Sequence, residues 1–212
     1  MLLNGHILII NGATAGTAGW LFGRDPVPTP VIYQLNERLG SRFVTLNATT
    51  IPQMYHSSVN LVRNGRILVG GGNPNMGYVF QKVLFPTKLQ LEAFYPPYLD
   101  TKFSTLRQKI MSLTSHTSLI YSQKLVLQFV VTGTLARNMF SVTMVVPSLS
   151  IHSFSQNQRL IQIEPPKNLI AQTKSTYQIE VTTPRLGLLA PPGFYLLFVV
   201  HQDIPSEGFG WS

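Results

Sequence analysis

Short runs of apolar and β-branched residues alternate with turn residues along most of the chain. The clearest runs lie at residues 124–131, 140–146, 159–163, 176–181 and 193–200. About seven short strands at this spacing, within roughly a hundred residues, are typical of an immunoglobulin-like sandwich. No segment has the periodicity of an amphipathic helix. The pattern therefore predicts an all-β protein that ends in a sandwich.

The first part of the chain contains an internal repeat. The stretch from Asn4 to Gly12 recurs from Asn64 to Gly72, at an offset of 60 residues. Each copy joins an Asn-Gly turn to an apolar run, which predicts a hairpin that feeds a buried strand. Recurring units of this kind are typical of kelch propeller blades, and a propeller closes with about four to eight of them. We therefore predict a partial propeller, its last one or two blades, over residues 1–88 and the sandwich over residues 89–212.

Composition narrows the functional classes. The net charge is +8, but no two of the 16 Lys and Arg residues are adjacent, so we do not expect nucleic-acid binding. The longest apolar run, residues 194–200, is too short to cross a membrane, and the N-terminus shows no signal peptide. There is no cysteine, which excludes disulfides and thiolate metal sites.

Several segments resemble the glyoxal oxidase-like branch of the galactose oxidase family of copper-radical oxidases, especially its plant members. They occur in family order and cover nearly the whole chain: residues 10–20, 52–57, 91–99, 152–159 and 191–206. The resemblance implies a seven-bladed kelch propeller followed by an immunoglobulin-like early-set domain, and an extracellular or cell-wall location. It also implies oxidation of a small aldehyde or primary alcohol by O2, with release of hydrogen peroxide.

The resemblance also implies a metal site, because this family holds one copper ion with two tyrosines and two histidines. Imidazole and phenolate donors suit Cu(II). Tyr55 matches the axial phenolate that acts as general base, His56 an equatorial ligand, and His152 the ligand from a sandwich loop that reaches into the propeller. Adjacent side chains of a regular strand point to opposite faces. Tyr55 and His56 must therefore lie at an irregular strand end, and Pro52 fits that requirement.

Two departures from the family pattern limit these expectations. The fourth ligand of the family is a tyrosine joined to a cysteine, and this radical cofactor cannot form in a chain without cysteine. We therefore expect a truncated form that lacks propeller blades and has no efficient turnover alone. The family also continues past residues 205–208 into a further strand, which we expect to be missing here, leaving an open sheet edge.

Other candidates carry weaker signals. Trp20 or Phe22 matches the place where the family presents an aromatic wall to substrate, although a loop packed on its own blade explains them as well. His201 is interpreted as a capping or packing residue at the end of a buried strand. Asn47 begins an Asn-Ala-Thr sequon, which would be glycosylated in a secreted protein.

Two alternatives to an oxidase remain open at the level of sequence. The chain could be a non-catalytic β-module that binds glycan or protein through its propeller loops and sandwich face, which the missing cysteine and blades favour. It could also be a truncated product without a stable fold.

Overall fold

The computed structural model describes residues 1–113, 118–136, 139–151, 154–156, 158–163 and 169–211. Its regular structure is almost entirely strand, with two short 3-10 turns at Pro97–Leu99 and Thr101–Phe103, which confirms the predicted all-β class. No helix among these residues has the length and apolar character needed to span a membrane. The strands are β1 (Ile7–Ile9), β2 (Ala13–Ala15), β3 (Arg24–Pro26), β4 (Val31–Tyr33), β5 (Phe43–Thr45), β6 (Ser58–Leu61), β7 (Ile67–Gly70), β8 (Leu91–Phe94), β9 (Lys109–Leu113), β10 (Lys124–Val130), β11 (Phe140–Val145), β12 (Leu149–Ile151), β13 (Phe154–Gln156), β14 (Leu160–Ile163), β15 (Leu169–Ala171), β16 (Thr176–Thr182), β17 (Tyr195–His201), β18 (Ile204–Pro205) and β19 (Phe209–Trp211).

The chain forms two compact units. The first unit comprises Met1–Leu61, Ile67–Phe94 and Ser148–Gln156, and the second comprises Val62–Arg66, Tyr95–Pro147 and Asn157–Ser212. Because the units interleave along the chain, this division does not test the predicted boundary after residue 88, which stays a prediction.

The second unit is a sandwich of two antiparallel sheets. One sheet has the order β15-β16-β10-β9, and the other has the order β14-β11-β17, with β18 and β19 also paired to β17. Alternate residues of β10 point inward, where Leu127 lies opposite Ile179 of β16. Val142 and Val199 face them from the other sheet within the same apolar core. Period-two burial of this kind is what the alternating runs of the sequence predict.

A tyrosine closes the turn that precedes β17. The hydroxyl of Tyr195 donates to the carbonyl of Pro191 at 2.7 Å, and burial raises the pKa of this phenol. A tyrosine hydroxyl that bonds back to the backbone a few residues upstream is a recurrent feature of immunoglobulin-like sandwiches. This bond orders the proline-rich turn at the start of β17, a core strand of the sandwich.

The prediction that the last strand is missing is wrong. Residues 209–211 form β19, which pairs antiparallel with β17 through Leu197 opposite Phe209 and Leu196 opposite Gly210. The pairing forms because Phe209 is apolar and packs against the sandwich core, which anchors the end of the strand. Three residues are therefore enough to cover this part of the edge of β17.

The repeat predicted from sequence is visible in its turns. The N–H of Leu2 donates to the carbonyl of His6 at 2.7 Å, and that of Val62 donates to the carbonyl of Arg66 at 3.0 Å. The glycine of each Asn-Gly step has a positive φ, 88° in the first copy and 86° in the second, a conformation that glycine adopts without strain. The same local geometry thus recurs at the predicted offset.

The strands that follow these turns differ in burial. Ile67 and Val69 of β7 are buried between β6 and β8. In β1, by contrast, Ile7 is 41% exposed and Ile9 is 52% exposed. The prediction of a buried strand is therefore confirmed for the second copy and wrong for the first. Ile7 and Ile9 lie on the same face of β1, because side chains alternate along a strand, and that face is open to solvent. β1 is also an edge strand, paired only with β4 among the described strands.

The first unit contains two three-stranded antiparallel sheets, β1-β4-β5 and β6-β7-β8, and two strand pairs, β2-β3 and β12-β13. Small antiparallel sheets of this kind are consistent with propeller blades. Their assignment to the kelch type stays a prediction.

His201 lies at the end of β17, in the interior of the second unit. Its side chain is fully buried, its Nε2 accepts the backbone N–H of Ala136 at 2.9 Å, and its ring stacks on Phe140. These contacts confirm its interpretation as a packing residue. Burial lowers the pKa of His201 below its ordinary value of 6.5, with the backbone of Leu106 acting in the opposite direction. Protonation of Nε2 would also remove the acceptor that Ala136 requires.

Stability should therefore decrease in acid. The unfolded chain takes up the His201 proton as the pH falls below about 6.5, before the folded chain does, so the unfolding free energy decreases from there towards the lower folded-state pKa. In His201→Gln the side chain can still accept a hydrogen bond but cannot titrate, so we expect a shallower decrease. Denaturant unfolding at a series of pH values measures both slopes. Parallel slopes for the two proteins would contradict this account.

Candidate metal centre

Tyr55 and His56 form a turn immediately before β6, and we call it the Tyr55–His56 turn. His56 has φ 65°, in the left-handed region, so the alternation of a regular strand is broken between the two residues. Their rings lie side by side, with centroids 4.0 Å apart and planes inclined by 36°. The predicted irregular geometry is therefore confirmed, and a phenol and an imidazole come together as neighbours.

The loop after β7, residues 71–77, holds this turn and is called the Asn73 loop. The N–H of Asn73 donates to the carbonyl of Tyr55 at 2.7 Å, and the carbonyl of Asn73 lies 3.1 Å from Nδ1 of His56. A carbonyl oxygen can only accept, so Nδ1 carries the hydrogen. The lone pair of the imidazole is consequently on Nε2, the nitrogen that a metal would bind.

Gln53, which is buried, connects the ends of both repeat copies to the turn. Its carbonyl accepts the N–H of Gly12 at 3.0 Å, and its side-chain Oε1 accepts the N–H of Gly72 at 3.0 Å. A Cβ on Gly72 would lie 3.1 Å from both Oε1 of Gln53 and the nitrogen of Met54. The two terminal glycines of the repeat therefore fix the backbone two residues before Tyr55, and a side chain at position 72 would have to displace Gln53 or Met54 slightly.

A cavity of about 360 Å³ lies beside Tyr55. It is lined by residues 10–13 and 15–18 together with Gly23, Met54, Tyr55, Ser57 and Val59, none of which is charged. The side chain of Asn11 donates to the hydroxyl of Ser57 at 3.1 Å across this region. The cavity is of a size to admit a small molecule, and its lining offers such a molecule amide, hydroxyl and backbone groups.

Trp20 and Phe22 lie in the loop between β2 and β3. Their side chains are 51% and 62% exposed, and neither lines the cavity. The loop is attached to the Asn73 loop, because the N–H of Leu21 donates to the carbonyl of Pro74 at 2.6 Å. A role for either aromatic ring in substrate contact stays a prediction.

The β12-β13 hairpin belongs to the first unit, although the sandwich strands flank it in sequence. The hydroxyl of Ser150 donates to Oδ1 of Asn60 at 3.0 Å and to the carbonyl of Val59 at 3.4 Å. Ser148 also donates to Asn60, at 3.3 Å. The hairpin is therefore bound to β6, the strand that directly follows the Tyr55–His56 turn.

His152 falls between the two strands of this hairpin and lies outside the described residues, so the structure tests only part of the predicted ligand set. It brings Tyr55 and His56 together. Within the described ranges there is no group of three or more His, Cys, Asp or Glu residues that could hold a metal ion. A phenol beside an imidazole that presents Nε2 nevertheless fits the donor preference of Cu(II).

Sequence reasoning missed Gln53 and Asn73, which fix the turn. Gln53 lies within one of the segments that carry the family resemblance, and Gly72, which it binds, is the last residue of the repeat. Asn73 follows directly after that repeat. The ends of the repeat were therefore the signal that could have indicated both residues.

The backbone at position 56 generates a stability prediction. A residue with a Cβ in the left-handed region costs about 1 kcal/mol relative to glycine. His56→Gly and His56→Ala both remove the imidazole and its bond to Asn73, so their difference reports the backbone alone. We expect His56→Gly to be more stable than His56→Ala by about 1 kcal/mol in denaturant unfolding. Equal stability, or a more stable alanine variant, would show that position 56 does not hold this conformation.

Two family models together match nearly the whole chain. Residues 1–98 match the family described as glyoxal oxidase N-terminus, and residues 107–209 match the galactose oxidase-like early set domain. Aldehyde oxidase GLOX1 of Arabidopsis thaliana is 40% identical over 98% of this chain and 34% of its own length. Aldehyde oxidase GLOX of Vitis pseudoreticulata is 37% identical over 97% of this chain and 38% of its own length. The chain thus spans little more than a third of these relatives.

A solved structure shares the fold. A fungal alcohol oxidase of the AA5 family, determined in complex with copper, superposes with a TM-score of 0.73 at 20% identity. The match covers 99% of this chain and 40% of the fungal protein.

Proposed function

Because the chain belongs to the glyoxal oxidase and galactose oxidase-like family, we propose that it forms part of a copper-radical oxidase of small aldehydes or primary alcohols. The observation that supports this most directly is the Tyr55–His56 turn, which places a phenol and an imidazole side by side, with Tyr55 lining an uncharged cavity. The reactions are RCH2OH + O2 giving RCHO + H2O2, and RCH(OH)2 + O2 giving RCOOH + H2O2. In each, two electrons and two protons pass from the substrate to O2.

We propose that Tyr55, His56 and His152 hold the copper ion. His56 binds through Nε2, because its Nδ1 is hydrogen-bonded to the carbonyl of Asn73. Tyr55 binds through its phenolate and takes the hydroxyl proton of the substrate, since its residue lines the cavity where substrate would lie. His152 follows β12 directly in the sequence, and Ser150 of β12 is hydrogen-bonded to Asn60 of β6. Copper, when bound, accepts one of the two electrons.

The second electron requires the radical cofactor of the family. These 212 residues contain no cysteine, so they cannot themselves form a cysteine–tyrosine thioether. We therefore propose that the chain binds copper but turns over slowly unless further propeller blades supply the modified tyrosine. The uncharged lining of the cavity favours small neutral substrates over ionic ones.

The metal assignment predicts a specific spectroscopic result. The purified chain with one equivalent of Cu(II) should give an EPR spectrum with nitrogen coupling. His56→Ala and His152→Ala should each weaken copper binding by about ten-fold or more and reduce that coupling, because each removes a ligand nitrogen. Tyr55→Phe should remove the visible phenolate-to-copper absorption band. Isothermal titration of copper gives the affinities.

The matched control is His6→Ala, a half-buried histidine outside the proposed ligand set, which should leave the spectrum and affinity unchanged. If His56→Ala and His152→Ala also leave them unchanged, the ligand assignment is wrong. Copper-independent binding of a glycan or protein by the same chain would instead support the alternative, a non-catalytic β-module, which the absence of cysteine favours.

We also propose that the protein is secreted and carries a glycan on Asn47. This residue is exposed in the segment after β5, and its triplet is the single sequon of the sequence. Thr49 is a sequon residue and also donates to Glu92 at 2.9 Å, so Thr49→Ser preserves both the acceptor sequence and the hydroxyl.

Secretion through a eukaryotic host tests this proposal by mass spectrometry. We expect one added glycan in the wild type and in Thr49→Ser, and none in Asn47→Gln. A secreted wild-type chain with the unmodified mass would contradict the assignment of Asn47.

A further inference from the structure

We propose that Asn73 is a positioning residue for the metal centre, which fixes both the orientation and the tautomer of His56 through a polar cluster in its own loop. The expected effect of Asn73 on copper affinity rests on the function proposed above, whereas its effect on the tautomer of His56 does not. Three structural features carry the inference: two bonds to the turn, a set of bonds that hold Asn73 itself, and the glycines on its N-terminal side.

The first feature is that one residue bonds to both candidate ligand residues. The N–H of Asn73 donates to the carbonyl of Tyr55, and the carbonyl of Asn73 accepts from Nδ1 of His56. The first bond fixes the backbone of the turn, and the second fixes the imidazole. A displacement of Asn73 would therefore move the turn and release the ring together.

The second feature is that the side chain of Asn73 is held from several directions. Its Oδ1 accepts the hydroxyl of Thr87 at 2.8 Å and the N–H of Asn75 at 3.2 Å, and its Nδ2 donates to the carbonyl of Gly77 at 3.4 Å. Thr87 and Asn75 are both buried. Hydrogen bonds among buried polar groups hold those groups in one geometry, because a buried polar group that loses its partner destabilises the fold.

Thr87 and Asn75 also join the outgoing and returning parts of the long loop between β7 and β8. The hydroxyl of Thr87 also accepts the N–H of Val79 at 3.0 Å, and Nδ2 of Asn75 donates to the carbonyl of Phe85 at 3.1 Å. The amide of Thr87 donates back to Val79 at 2.8 Å. The Asn73 loop is thus ordered by polar contacts along its length.

The third feature is the glycine run that precedes Asn73. Gly70, Gly71 and Gly72 have no side chains with which to anchor the loop, and Gly71 has φ 83°. Gly72 approaches Gln53 too closely to carry a side chain without displacement. Asn73 is therefore the first residue after β7 whose side chain can fix the loop.

These contacts have a chemical consequence at His56. The nitrogen that carries the hydrogen is set by the bond that it makes, so the Asn73 carbonyl selects the Nδ1–H form and presents the Nε2 lone pair. Hydrogen-bond partners of metal-bound histidines typically contribute about 10–100-fold to metal affinity. We infer that the Asn73 loop contributes an effect of this size at the proposed copper site.

The test is the nitrogen NMR spectrum of the histidine side chains in the full metal-free chain, followed by copper titration. In the wild type, His56 should carry its hydrogen on Nδ1. Asn73→Ala and Thr87→Val should both give a mixture of tautomers and about 10–100-fold weaker copper binding. Asn73→Asp and Thr87→Ser, which keep the oxygen atoms of the Thr87–Asn73 bond, should retain most of the wild-type behaviour.

Asn36→Ala is the matched control, because it removes an exposed asparagine from the same unit, and it should change neither measurement. Thr87→Val nearly preserves side-chain shape, so it tests the hydrogen bond even if Asn73→Ala fails to fold. The inference is overturned if wild-type His56 carries its hydrogen on Nε2. It is also overturned if folded Asn73→Ala and Thr87→Val keep both the wild-type tautomer and the wild-type copper affinity.

The two proposals fail in different ways. If the tautomer depends on Asn73 and Thr87 while no variant or wild-type chain binds copper, the positioning role stands and the proposed metal function falls. If Asn73→Ala and Thr87→Val keep the wild-type tautomer and copper affinity while His56→Ala weakens binding, the metal function stands and the positioning role falls.

Discussion

Two adjacent side chains can reach one metal ion only if the backbone between them leaves the strand conformation. At the Tyr55–His56 turn this departure is the left-handed conformation of His56, which is unfavourable for a residue with a Cβ. Such a conformation persists when surrounding bonds hold it, and here the Asn73 backbone bonds to both residues of the turn. The rest of the proposed site depends on that restraint.

The ends of the internal repeat also restrain the backbone near the Tyr55–His56 turn. The terminal glycines of both copies, Gly12 and Gly72, bond to Gln53, one to its backbone and one to its side chain. The segments that follow β1 and β7 therefore meet at the same buried glutamine, two residues before Tyr55. Strand ends that converge in this way produce the short irregular segments on which binding groups are commonly placed. The β12-β13 hairpin reaches the same region through its bonds to Asn60 and Val59.

Features set by interactions between residues close in sequence were predictable, and those set by distant residues were not. Alternating burial in β10 and β16 and the repeated Asn-Gly turns are local, so pattern and turn chemistry predicted them. The irregular turn at Tyr55 and His56 was predictable because a shared ligand site excludes regular strand geometry. The partners Asn73 and Gln53 were not, because their bonds join residues that are distant in sequence or are made by backbone atoms. The exposure of Ile7 and the pairing of β19 with β17 also depend on tertiary neighbours, which no local pattern specifies.

The central claim is that Tyr55, His56 and His152 share one copper ion. Crystals of the copper-loaded chain, measured with X-rays on either side of the copper absorption edge, test it most directly. The account predicts a single anomalous peak in direct contact with the phenolate oxygen of Tyr55, Nε2 of His56 and a ring nitrogen of His152. A peak located elsewhere, or no peak in crystals that contain stoichiometric copper, would contradict it.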